Sequence, residues 1–149
     1  MKDEKNTPET KVLYELNKGI KMGMDSISNV IESVKDQTFK QAILSQYNGY
    51  NELLNRVDTK LQEFGALPKD IPPVQKAMGY IEVKVNTSAD NSISHIAEMM
   101  LQGTNMGIIK GVKLQHETNE ISEETQNILN DFVNHLALKY KAFFATESR

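Results

Sequence analysis

The stretch from Ser94 to Glu117, SHIAEMMLQGTNMGIIKGVKLQHE, carries two of the chain's three histidines. His95 stands three residues before Glu98, and His116 stands four residues before Glu120. Positions three and four apart share one face of a helix, so each pair sets an imidazole beside a carboxylate, and both groups ligate metals. Two ligands do not complete a site, and such pairs are frequent by chance. His95, Glu98, His116 and Glu120 are therefore weak metal candidates, and a solvated helix face is the plainer expectation. His135 adjoins Leu136 near an inner face. A hydrogen-bonded histidine at the edge of the core is expected there, ahead of a ligand or a base.

Other chemistries can be tested letter by letter. A helical di-iron centre takes about four inward carboxylates, with Glu-x-x-His pairs on two of the helices. The residues three before His95, His116 and His135 are Ser92, Lys113 and Phe132, so the chain contains no such pair. Glu15, Asp25 and Glu32 fall off the apolar stripe of the first helix. The chain has no cysteine, which excludes disulfides, thiolate metal sites and thiol catalysis. GTNMG lacks the Gly-Lys-Ser/Thr of a phosphate loop and its strand-to-helix setting. No elbow or glycine loop links Ser, His and Asp into a triad. Tyr14, Tyr47, Tyr50, Tyr80 and Tyr140 read as amphipathic core residues whose hydroxyls reach water or a carbonyl. No catalytic or cofactor-binding residue is assigned, and no cofactor is expected.

The elements that would hold these side chains are helical. Leu13, Leu16, Ile20, Met24, Ile27, Ile31 and Val34 recur at spacings of three and four, predicting an amphipathic helix over about residues 10–35. Asp36 or Thr38 can cap a second helix, whose stripe runs Phe39, Ile43, Tyr47, Tyr50, Leu54, Val57, Leu61 and Phe64. Gly65, with Pro68 beyond it, marks its end. So brief a connection predicts an antiparallel pair. LPKDIPP is a rigid connector. Val74, Ala77, Met78, Ile81 and Val85 give a short third helix, with YIEVKV the one stretch that alternates like a strand. A fourth helix is expected over about residues 92–117 with Ile93, Ile96, Met100, Gly107 and Leu114 inside. Ser122 caps a fifth, carrying Ile128, Leu129, Phe132, Leu136 and Phe143. The third helix is too short to span a bundle, so the four long ones are expected to form an up-down bundle with one crossover that contains it. This is a single domain over residues 10–145, with flexible tails at 1–9 and 146–149.

Gly103, Gly107 and Gly111 recur every fourth residue, and Gly19 and Gly23 repeat the spacing on the first helix. A glycine within a soluble helix costs about 1 kcal/mol relative to alanine, so the run implies a flat face. Close contact between the first and fourth helices is the expectation, and a groove for a ligand or partner helix is the alternative.

Composition narrows the setting. A chain of 149 residues, 39% apolar and 25% charged, can bury one substantial core. Its net charge of −3 argues against a nucleic-acid partner. No apolar run reaches the roughly 18–20 residues of a membrane span, and the opening MKDEKNTPET lacks the apolar core of a signal peptide. A cytoplasmic protein is expected, with no membrane partner.

The stretch LYELNKGIKMGMDSISNVIESVKDQTFKQAI resembles the opening of a ferritin-like bacterial family of unknown function, with its VKD break and a second helix closing in LQEFGALP. KAMGYIEVKVNTSADNSISHIAEMMLQG is similar to that family's short third helix, polar break and fourth helix. The likeness covers about residues 12–145 and implies an all-α, ferritin-like four-helix bundle. Members have no established activity, and the wider superfamily includes di-iron oxidases and iron-storage proteins. Where acidic residues would align after the glycine, this chain has Thr104 and Asn105, so no functional residue is carried over. The resulting expectation is a non-catalytic scaffold or protein-interaction module, homo-oligomeric (a dimer) or bound to a protein partner. The alternative is a metal-binding protein of iron oxidation or storage with a non-standard site.

Overall fold

A computed structural model describes residues 7–66, 92–117 and 120–147, and every element among them is helical. Helix α1 spans Pro8–Val30, α2 Gln37–Glu63, α3 Ile93–Glu117 and α4 Glu123–Glu147. The short third helix and the YIEVKV stretch of the sequence reading lie outside the described residues. None of the described helices is long and apolar enough to cross a membrane.

Local chemistry explains the helix ends. Thr7 caps α1 two residues ahead of the expected start: its hydroxyl accepts from Thr10 N–H at 3.2 Å, and Thr10 Oγ1 accepts from Thr7 N–H at 2.9 Å. This closes a reciprocal capping box, and Pro8 occupies the first turn, where a missing N–H costs nothing. A 3-10 turn at Ile31–Ser33 ends the first rod. Asp36, not Thr38, caps α2, its Oδ1 accepting from Phe39 N–H at 3.1 Å. Beyond α2, Gly65 takes a φ of +70°. That lets Ala66 N–H reach the Leu61 carbonyl at 2.9 Å and Gly65 N–H the Gln62 carbonyl at 3.0 Å, the paired closure of a left-handed C-terminal cap. Ser92 and Ser122 cap the last two helices, each hydroxyl 3.2 Å from the N–H three residues on.

Side-chain pairs set the helix directions. Asn17 meets Asp58, and Tyr50 lies over Gly23, so α1 and α2 are antiparallel. Lys139 meets Ser45, Asp131 meets Arg56 and Glu124 meets Lys60, so α2 and α4 are antiparallel. Gln115 meets Asn130 and Gly107 meets Leu136, so α3 and α4 are antiparallel. It follows that α2 and α3 run parallel.

The inner faces form one apolar core. Leu13, Leu16 and Ile20 of α1, Ile43, Val57 and Leu61 of α2, Ile96 of α3 and Leu129, Leu136 and Phe143 of α4 are almost wholly buried. Each fully buried aliphatic side chain contributes roughly 1.5–3 kcal/mol. Phe39 and Phe143 close one end edge-to-face, with centroids 6.2 Å apart. One expected inner residue is misplaced: Ile93 is 40% exposed, because it opens the first turn of α3 beyond the packed region.

The glycine expectation is corrected. Gly107 and Gly111 do not meet α1. They receive Leu136 and Val133 of α4, whose side-chain carbons lie 2.6 Å from where a β-carbon would stand. Gly23 receives Tyr50 of α2. Gly19 and Gly103 have open space in place of a side chain. A glycine lets a large side chain enter from whichever helix is adjacent, and the antiparallel neighbours of α1 and α3 supply those side chains.

Candidate functional site

Halfway along the bundle the apolar interior gives way to a cluster of neutral polar groups. Gln46 and Tyr50, one turn apart on α2, meet Thr104 of α3 and His135 of α4. Gln46 is 1% exposed, and its amide nitrogen donates to Thr104 Oγ1 at 3.1 Å and to Tyr50 Oη at 3.4 Å. Two glycines make the room. The Tyr50 ring fills the space that a side chain at Gly23 would take, with ring carbons 2.7 Å from the ideal β-carbon position. The His135 imidazole sits against Gly49 in the same way. Tyr50 and His135 pack edge-to-face at 5.9 Å.

Electrostatics keep the cluster uncharged. Burial raises the Tyr50 phenol well above its ordinary range. Burial likewise lowers the His135 imidazole, opposed by the hydrogen bond it donates to the Gln46 backbone carbonyl; Lys139 lowers it further and Glu52 raises it. The expected histidine at the core edge is therefore present and half-buried, but only part of it is satisfied: His135 Nε2 is buried without a hydrogen-bond partner, as is Gln46 Oε1. An amide, two hydroxyls and one neutral imidazole can exchange hydrogen bonds. They do not match the carboxylate-rich set that holds a di-iron centre.

The sequence candidates for metal lie elsewhere. His95 is half-buried in the first turn of α3 with Nε2 buried and unpartnered, whereas Glu98, His116 and Glu120 are exposed. At 1.5 Å per residue, His95 and His116 are roughly 30 Å apart along α3, so the two pairs cannot share an ion within one copy. Among the described residues, no group of three or more His, Asp or Glu side chains is arranged to hold a metal ion.

Sequence reasoning missed the most buried carboxylate among the described residues. Glu9, in the first turn of α1, accepts from Ser122 N–H at 3.2 Å, from the Ser122 hydroxyl at 2.6 Å and from the Thr125 hydroxyl. Burial raises its pKa, but these hydrogen bonds, helped by Lys60, outweigh burial and hold it below the usual value. Lys60, also nearly buried, donates to Glu124 at 2.5 Å and Glu63 at 3.0 Å, which raise its pKa against the cost of desolvation. The signal was present: Glu9 stands four residues before Leu13, on the same stripe. Beside this end lies an open groove of about 410 Å³ between α1 and α3, floored by Val12 and Leu114 and rimmed by Glu15, Glu117 and Glu120. Glu15 is bound to Lys110 at 2.5 Å.

Large apolar side chains occur outside the bundle as well. Met106 is 71% exposed and Ile109 59%, with Val112 beside them on the outer side of α3. Leu138 and Phe144 are exposed on α4, Phe144 stacked on Tyr140. Compared with known proteins, the chain matches no family model, no curated protein and no solved structure. What the described residues define is an all-α bundle of four helices with an uncharged, hydrogen-bonded middle.

Proposed function

We propose that this chain is a ferritin-like bundle, its second and third long helices joined by a crossover, that works in the cytoplasm as a non-catalytic scaffold or interaction module. The parallel course of α2 and α3 favours a crossover, because a direct hairpin would make them antiparallel. The observation that carries the functional reading is the contrast between inside and outside. At mid-bundle, where a ferritin-like enzyme holds its metals, stand Gln46, Tyr50, Thr104 and a neutral His135. Outside, Met106 and Ile109 are presented to solvent, where apolar residues mark association surfaces.

Metal content separates this from a metal-dependent protein. Chain purified without chelator should carry substoichiometric iron, manganese and zinc by mass spectrometry of the metals. A stoichiometric metal lost in His95→Ala or His116→Ala would overturn the reading.

A further inference from the structure

Resting on the interaction reading, one surface can be chosen over the others. At the central cluster, rings fill the space at Gly23 and Gly49. The acidic groove beside α1 contains no unpartnered buried group. On α4, Phe144 is already stacked on Tyr140. The outer face of α3 remains, and its charges have an order.

Glu98, Gln102, Met106, Ile109 and Lys113 follow one another at spacings of three and four, and all are exposed. They therefore form one stripe along the helix. Met106 and Ile109 make its apolar centre. Glu98 lies eight residues before Met106 and Lys113 seven residues after it, on the same face. Reversed end for end about Met106, this stripe sets Met106 against Met106, Ile109 against Gln102, and acid against base on both sides. An isologous two-fold contact requires that property, and a contact with an unrelated protein does not.

We propose that the outer face of α3 is a self-association surface, on which α3 packs antiparallel to α3 of a second copy about an axis near Met106, with Glu98 of each copy beside Lys113 of the other. Three further features fit. Open space at Gly103, three residues before Met106, lets a second backbone approach. Methionine adapts its shape to the surface it meets. The contact of Lys113 with Glu117 inside one copy is long, at 3.9 Å and largely exposed, so exchanging it costs little. A single helix face is smaller than a standard interface, so the dimer is weak, concentration-dependent and salt-sensitive.

Sedimentation velocity over a concentration series tests the proposal. Wild type dimerises reversibly. Met106→Glu and Ile109→Glu each abolish the dimer while circular dichroism and Tm stay at wild-type values, since both side chains are exposed. Glu98→Lys or Lys113→Glu alone weakens dimerisation about tenfold by making two like-charged pairs, and the double exchange restores it, which a merely structural role for these residues would not produce. A dimer indifferent to Met106→Glu and Ile109→Glu but lost in Leu138→Glu overturns this surface while leaving the interaction reading intact. A wild-type chain that stays monomeric at the highest concentration overturns self-association. Stoichiometric metal in the separate analysis above overturns the reading on which it rests.

Discussion

His135 illustrates how much one residue's surroundings change its chemistry. In the sequence it is a histidine next to a core leucine. In the fold it lies against a glycine and the edge of Tyr50, with one ring nitrogen donating to a backbone carbonyl and the other buried without a partner. Burial, the largest influence, lowers its pKa from 6.5. The folded state then binds a proton less readily than the unfolded state, so stability rises with pH through this range. The contribution of His135 is complete above pH 6.5 and is lost as pH falls below it. Thermal melts from pH 7.5 to 5 should show wild-type Tm dropping on the acid side, with a flatter profile in His135→Gln. Equal slopes in the two proteins would show that His135 is not the group responsible.

At the scale of the helix, the glycines divide into two kinds that the sequence does not distinguish. Gly23 and Gly49 are covered by rings of Tyr50 and His135, whereas Gly19 and Gly103 face open space. Alanine at Gly23 or Gly49 must displace a packed ring and should cost about 1–3 kcal/mol. Alanine at Gly19 or Gly103 meets nothing and lowers the entropy of the unfolded chain, so each should gain about 0.5–1 kcal/mol. Chemical denaturation of the four single variants checks the signs. Destabilisation by Gly19→Ala would mean that α1 is packed there after all. Three helix ends were legible: Asp36, Gly65 and Ser122 act through bonds to residues within five positions, so their neighbours in sequence are also their partners, whereas the Thr7 cap of α1 was not read. The stripes from Leu13 to Val34 and from Ile128 to Phe143 were legible for the same reason. Ile93 was misread because periodicity continues past the point where a helix stops touching its neighbours.

The whole molecule is fastened at one end by groups far apart in the chain. Glu9 from the start of α1 reaches Ser122 and Thr125 at the start of α4, and Lys60 from the end of α2 reaches Glu124. Parallel α1 and α4 make this meeting possible. Replacing Glu9 with alanine leaves buried donors unmatched and should cost about 1–3 kcal/mol. Because its folded pKa is lowered, the carboxylate contributes fully above its ordinary value of 4.5, and that contribution disappears as pH falls through the folded pKa. Denaturation at pH 7 and pH 3 should show a larger Glu9→Ala penalty at the first than at the second; an equal penalty at both would assign the loss to packing alone.

By itself the sequence determined that the described segments are helical, that Asp36, Gly65 and Ser122 bound three of their ends, and which side of each rod turns inward along most of its length, because helix period and capping act over four or five residues. Only the tertiary structure decided that Leu136 and Val133, not α1, cover Gly107 and Gly111. It also decided that Gln46 finds Thr104 across 58 residues, and that Glu9 is a buried fastener. A stripe specifies that a face will be covered but not by which helix. That choice follows from the direction of every rod at once, which is set by the summed packing of the whole core and by no local signal.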